Sequence, residues 1–270
     1  MIKQDKSIAL AWEEYGQGDP LILLMGLGAS KAKWAPHIQA YQKHFHVYAL
    51  DNRGAGESPK PVSYAYTIEE MAEDVLLFME KQKISSAHFN GISMGGAIAQ
   101  VIAMNHPDKV RSLILTNTFS YCGTPFRRAI ELLRESCGQL DPITFGRLCQ
   151  WMIFSQPFQE KQEDYLLKAE IQDLQDPHPM PAYAYKAQCN AILGFDSRSG
   201  LKNITAPTLI VGGDKDLFVP AYQTQEMARS IPRSIVTIIP DGGHVQHWEH
   251  LENYNHLTLN FLLYNLTTHE

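Results

Sequence analysis

A chain of 270 residues with 44% hydrophobic and 19% charged side chains is long and apolar enough to bury a full core. Its net charge of −6 argues against nucleic acid as a partner, because no basic stripe is present to neutralise phosphates. No apolar run approaches the ~20 residues that cross a bilayer, and the opening Met1-Ile2-Lys3-Gln4-Asp5-Lys6 lacks the apolar core of a signal peptide, so a soluble cytoplasmic protein is expected.

In chain order, residues 2–4 and 8–15 read as an opening antiparallel strand pair turned at Asp5-Lys6. Residues 20–25 form a short buried strand, 33–43 a helix and 47–51 the next strand. Residues 68–82 carry Ile68, Met71, Ala72, Val75, Leu76 and Met79 at helical spacing, which predicts an amphipathic helix. Residues 87–92 and 110–116 are strands around a further helix. Over residues 1–118 strand and helix signals thus alternate, the pattern of a parallel α/β sheet.

The alternation stops between residues 119 and 203, where only helical segments such as 127–135 and 162–172 are found. That stretch holds all four cysteines (Cys122, Cys137, Cys149 and Cys189, read as free thiols) and 11 of the 27 aromatics. From Ala206 the alternation resumes, with strand 208–212, helix 221–230, strand 235–239 and a final helix over 248–264. A helical piece inserted into such a sheet reads as a cap over the edge where strand ends deliver chemical groups. Its aromatics suit the walls of an apolar pocket.

Between strand 87–92 and its helix stands Gly91-Ile92-Ser93-Met94-Gly95, a G-x-S-x-G pattern. A serine at this turn is forced into a strained conformation that pushes its hydroxyl into a cleft, and glycine at the flanking positions lets strand and helix close up. The helix aims N–H groups and its positive dipole end at the place where negative charge develops. A serine hydroxyl also needs a histidine to take its proton, and that histidine needs a carboxylate to hold its tautomer. Two later strands lead into segments that supply them: Gly213-Asp214-Lys215-Asp216-Leu217-Phe218-Val219-Pro220 and Pro240-Asp241-Gly242-Gly243-His244.

Together with Met25-Gly26-Leu27-Gly28 and Asp51-Asn52-Arg53-Gly54-Ala55-Gly56-Glu57-Ser58, these segments closely resemble the α/β-hydrolase superfamily over nearly the whole chain. Within it the chain is similar to bacterial capped serine esterases and lactonases. The resemblance implies an α/β class protein with a mostly parallel eight-stranded sheet and flanking helices. Residues 1–118 and 204–270 would form its core, and 119–203 its inserted cap. It implies Ser93 as nucleophile, His244 as base and Asp216, rather than Asp214, as the acid. The backbone N–H groups of Leu27 and Met94 would form the oxyanion hole. No metal or organic cofactor is implied. Met25 stands where the family usually has His, which excludes the HGGG lipase subtype.

The implied activity is cleavage of a carboxylic ester through an acyl-enzyme, with a small-molecule substrate that carries an apolar or aromatic acyl group. Candidate walls are Phe119, Tyr121, Phe126, Phe145, Trp151, Phe154, Phe158, Tyr183 and Tyr185. A serine nucleophile argues against the epoxide hydrolases and haloalkane dehalogenases, which use Asp there. It leaves open a lactonase, a C–C bond hydrolase, a methyl-ester esterase acting on a carrier-bound chain, and a non-catalytic receptor of the same fold. Arg127, Arg128, Arg134 and Arg147 are the basis for an acyl carrier protein as partner, but Glu131 and Glu135 among them fit a solvated helix face.

Two rivals fail on particular residues. Gly26-x-Gly28 with Asp51 imitates a dinucleotide-binding fingerprint, but Lys31 stands where the third glycine belongs. His244, His247 and His250 with Glu249 and Glu252 imitate metal-ligand spacing but lack HExxH order, and His247 and His250 read as exposed residues opening the last helix. Arg53 reads as a structural hydrogen-bonder.

Overall fold

A computed structural model describes residues 7–266. Among them the chain forms one sheet of seven strands: β1 (Trp12–Tyr15), β2 (Asp19–Leu24), β3 (Phe45–Leu50), β4 (Ala87–Ile92), β5 (Val110–Thr116), β6 (Thr208–Gly213) and β7 (Ser234–Ile239). Their order is β1-β3-β2-β4-β5-β6-β7, and every pairing is parallel except β1 with β3. The first strand of the expected opening pair, residues 2–4, lies outside the described residues. The second begins only at Trp12. Upstream of it, the Ile8 N–H donates to Asp74 Oδ1 at 2.7 Å and the Ala11 N–H to Ser58 Oγ at 2.8 Å. Side chains thus take the donors that a strand would offer its neighbour.

Among the described residues eleven α-helices accompany the sheet: α1 (Ala35–Tyr41), α2 (Ile68–Lys81), α3 (Met94–Asn105), α4 (Thr124–Ser136), α5 (Pro142–Ile153), α6 (Gln156–Lys161), α7 (Glu163–Leu174), α8 (Ala182–Gly194), α9 (Ala221–Ser230), α10 (Gln246–Glu249) and α11 (Leu251–Leu266). Helix α2 starts where it does because Thr67 Oγ1 accepts the Glu70 N–H while Glu70 Oε2 accepts the Thr67 N–H, a reciprocal cap. Its buried face is the expected one, except that Asp74 and Phe78 also go inward and Leu76 is only half-buried.

Helices on both faces explain why β4 and β6 are buried along their whole length. One face packs Val75 of α2, Ile98 of α3 and Met227 of α9 against Leu113 and Ile210. The other packs Ile38 and Tyr41 of α1 and Tyr254 and Leu262 of α11 against Leu23, Ile114 and Val211.

Helices α4 to α8 all lie between β5 and β6. Helix α8 carries seven buried residues, including Tyr185 and Gln188, whereas α7 carries none. Helix α4 also buries Phe126, Ile130 and Leu133, so the insertion meets the rest of the molecule mainly through α8 and α4, and α7 faces solvent. No helix among the described residues is long and apolar enough to cross a membrane.

Candidate active site

Strand β4 runs into Ser93, whose φ of 53° and ψ of −117° are unusual for a residue with a side chain. Such a conformation costs on the order of 1–3 kcal/mol and persists only where the surroundings enforce it. Here they do. The Ser93 N–H donates to Thr116 O at 2.9 Å, and Ser93 O accepts from the Gly96 N–H, the Ala97 N–H and Thr118 Oγ1 at 3.0, 3.2 and 2.6 Å. Two glycines make the turn sterically feasible. A Cβ on Gly91 would lie 2.5 Å from Gly95 O, and one on Gly95 would lie 2.2 Å from Leu24 O. Ser93 is thereby held at the mouth of α3, with its hydroxyl turned away from the sheet.

That hydroxyl meets His244, whose Nε2 is 2.9 Å from Ser93 Oγ. The other ring nitrogen, Nδ1, lies 2.9 Å from Asp216 Oδ2. An ionised carboxylate can only accept, so Nδ1 carries the proton and Nε2 is left as an acceptor for the serine O–H. Asp216 is saturated. Its Oδ1 accepts the Phe218 and Val219 N–H groups at 2.8 and 2.9 Å, and its Oδ2 accepts Asn117 Nδ2 at 2.8 Å as well as the imidazole. Asp214, two residues earlier, is exposed beside Lys215.

The loop that carries His244 is pinned from two sides. Glu249 Oε2 accepts the Gly243 N–H at 2.8 Å while its Oε1 accepts the Ser155 N–H at 2.6 Å. The Val245 N–H donates to Ile153 O at 3.3 Å. The junction between α5 and α6 is thus fixed to the histidine loop. Ser93 and His244 are each only 6% exposed.

Opposite the histidine, the loop after β2 lies against the serine: a Cβ on Gly26 would come within 3.1 Å of Ser93 Cβ. Among the described residues neither the Leu27 N–H nor the Met94 N–H has a hydrogen-bond acceptor. The loop is held in shape from the insertion. Gln188 Oε1 accepts the Gly28 N–H at 2.9 Å, and Gln188 Nε2 donates to Arg53 O at 2.8 Å. Gly28 has a φ of +72°, and a Cβ there would strike the Tyr185 ring at 2.8 Å. Phe145 packs edge-on against Tyr185 with centroids 5.4 Å apart, and Phe218 packs edge-on against His244 at 4.9 Å. Other aromatics of the insertion have different places: Phe119 and Phe126 are fully buried in the core, and Trp151 is exposed.

Several sequence candidates are used up elsewhere. Arg53 is buried in a two-point ion pair with Asp74, its Nε and Nη2 donating at 2.6 and 2.7 Å. Asp51 is occupied by Lys31, whose N–H and Nζ reach it at 2.6 and 3.0 Å, and by the Glu57 N–H at 2.9 Å. Burial raises the thiols of Cys122, to about 11, and Cys149, to about 12, and all four cysteines are free. No group of three or more His, Cys, Asp or Glu among the described residues is placed to hold a metal ion.

His247 departs from expectation, being 1% exposed rather than on the surface. Helix α10 is a single turn that turns this ring inward against His37 and Tyr254, at centroid distances of 5.6 and 5.9 Å. Burial holds the His247 imidazole well below its ordinary range and His37 down to about 4. His250 is half-buried. Sequence reasoning also missed Asn117, Gln188 and Gln246, and it noted Glu249 only as part of a metal-like spacing, not as the residue that holds the His244 loop. For Asn117 the available signal was an asparagine directly after a strand, since this residue tolerates left-handed backbone.

A family model described as alpha/beta hydrolase fold matches residues 19–135 and 160–251. A protein named "Putative carbamate hydrolase RutD" from Yersinia enterocolitica is 27% identical, over 93% of this chain and 91% of its own length. The 3-oxoadipate enol-lactonase 2 of Acinetobacter baylyi is 28% identical, over 93% of this chain and 92% of its own. Among solved structures, the enol-lactonase from Burkholderia xenovorans LB400 superposes with a TM-score of 0.85 at 28% identity, covering 94% of this chain and 96% of that one.

Proposed function

The chain belongs to the α/β-hydrolase fold family, and on that footing we propose that it is a serine hydrolase cleaving a carboxylic ester through an acyl-enzyme. The observation that carries this reading is the unbroken hydrogen-bonded run from Ser93 Oγ through His244 to Asp216, with both contacts to the imidazole at 2.9 Å. Ser93 Oγ adds to the ester carbonyl while His244 Nε2 takes its proton. Asp216 stabilises the imidazolium that results. The carbonyl oxygen, now negative, lies against the Leu27 N–H of the loop after β2 and the Met94 N–H at the N-terminus of α3. His244 then gives its proton to the departing alkoxide. Water repeats the sequence on the acyl-enzyme and restores the serine.

Residues 119–203 act as the cap. The bonds from Ile153 and Ser155 to the histidine loop, and from Gln188 to the Gly28 loop, support that role. Tyr185 beside Gly28 and Phe218 beside His244 favour an apolar acyl group next to the reacting carbonyl. Lactones form the second reading, favoured by the enol-lactonase relatives. A lactone is a cyclic ester, and the same steps open it with the leaving alcohol still tethered.

Intact-mass analysis after exposure to a fluorophosphonate probe tests the chemistry, with Ser93→Ala alongside. One adduct on the wild type and none on the variant is expected. Aliphatic p-nitrophenyl esters of graded length, run against γ- and δ-lactones, then separate the two readings. A folded wild type that takes no probe and turns over none of these compounds would end the proposal.

A further inference from the structure

We infer that Asn117 is a positioning residue for this site, its side-chain amide fixing the Asp216 carboxylate and the His244 loop against each other. The inference rests on the serine-hydrolase reading above and goes beyond it, since Asn117 belongs to none of the recognised segments.

Asn117 is the first residue past β5 and is buried, 1% exposed, with a φ of 45°. Its N–H donates to Val211 O at 2.8 Å, which carries the β5–β6 pairing one residue further and locks the backbone in this left-handed conformation. The side chain is thereby aimed between the loops that follow β6 and β7. Nδ2 donates one proton to Asp216 Oδ2 at 2.8 Å and the other to Gly243 O at 3.2 Å. Oδ1 accepts from Gln246 Nε2 at 3.1 Å. The two groups that face Nδ2 are both acceptors, so the orientation of the amide is determined by its neighbours. No other side chain of this size gives two hydrogen bonds and takes a third: Asp cannot donate, Ser has one proton, Leu has none.

The consequence falls on Asp216. With Asn117 in place, four donors hold the carboxylate, and the oxygen that faces His244 shares its charge with a second N–H. Without Asn117 that oxygen has the imidazole alone, and only the two N–H groups on Oδ1 still orient the carboxylate towards the line to Ser93. Gly243, joined to His244, loses one of its tethers too, because its carbonyl is the second acceptor, and keeps the bond from its N–H to Glu249. Besides Asp216, the titratable groups around His244 are His247, which is electrostatically coupled to it, and Glu249, bound to the Gly243 N–H. The Phe218 ring covers the imidazole from the side.

Two variants probe this. Asn117→Gly keeps the left-handed backbone and removes the amide. Asn117→Asp keeps the shape and turns a donor towards Asp216 into a second carboxylate, which favours a protonated His244. Two measurements are made on each, the titration of His244 by NMR of 15N-labelled imidazole, which needs no turnover, and the pH profile of ester hydrolysis. For Asn117→Gly the expectation is a fall in kcat of about tenfold to a hundredfold with KM within about twofold, as misalignment of a reacting group produces. For Asn117→Asp, the His244 titration and the acid limb of kcat/KM move up together by about one pH unit. If Asn117→Asp does not fold, the upward shift is sought in Asn117→Gly, where it is smaller. Wild-type titration together with wild-type kcat in the variants that fold would overturn the inference while leaving the triad intact. A wild type that takes no fluorophosphonate, with a His244 titration that still follows residue 117, would instead sink the hydrolase reading and keep the placement of Asn117.

Discussion

The surroundings of His244 and those of His247, three residues on, treat the same side chain in opposite ways. Both rings are buried, at 6% and 1% exposure, so burial does not distinguish them. The first sits where strands deliver polar groups, and each of its nitrogens has a partner at 2.9 Å. The second sits in the layer between the sheet and helices α1 and α11. There neither nitrogen of His247 has a partner among the described residues, nor has His37 Nε2 or Trp34 Nε1. An imidazole buried alone is held neutral, because a charge there would be solvated by nothing. One buried beside a carboxylate has somewhere to place the proton it takes up. The two regions show how one residue type is either hydrogen-bonded through both nitrogens or packed without partners according to its neighbours.

Replacing each histidine in turn gives the largest expected effect. His244→Ala should lower ester turnover by about 10⁵-fold or more, in the range seen when a triad base is removed. His247→Phe should leave kcat within about twofold, because it removes two unpartnered polar atoms and keeps a ring. Steady-state kinetics on one activated ester decides both, and a collapse of turnover in His247→Phe would erase the distinction.

Acid is the next lever. His37 titrates at about 4 in the folded protein against about 6.5 in an unfolded chain, so between those values only the unfolded state binds the proton. Stability is therefore complete above pH 6.5 and declines as the pH falls towards 4, by about 3 kcal/mol from His37. His247 acts in the same direction. Urea midpoints measured from pH 7 down to 4.5 should fall accordingly, and His37→Gln should flatten the fall. Equal slopes in the two proteins would show that His37 is not the sensor.

The smallest expected change concerns the far wall of the site. Gln188→Leu removes the acceptor that holds the Gly28 N–H, so kcat should fall by about tenfold with KM nearly constant. An unchanged kcat would mean that the loop keeps its shape without the insertion.

Much of this was legible in the sequence. The serine turn was readable because Gly91 and Gly95 stand where no Cβ fits, a requirement that leaves a mark on residue type. The parallel sheet was readable because its strands are short apolar runs separated by helices. What escaped notice depends on contacts far along the chain. Asn117 looks like any residue that ends a strand, and its partners Asp216 and Gly243 are 99 and 126 positions away. His247 was expected outside because a helix start is commonly exposed, yet α10 is one turn whose direction is set by how α11 docks. The insertion read correctly as helical. But sequence periodicity did not reveal that α8 would be buried and α7 solvated, or that Phe119 and Phe126 would be fully buried while Trp151 is exposed.

The order of the strands also has a consequence for synthesis. Ser93 leaves β4 near the middle of the sheet, whereas Asp216 and His244 follow β6 and β7, which complete one edge. A ribosome therefore delivers the proposed nucleophile first, then the whole insertion, and the proposed acid and base only after it. Until β7 has docked, the proposed base is not in place to take a proton from Ser93. Domains form as units, so reactivity at Ser93 becomes a clock for the closing of the sheet.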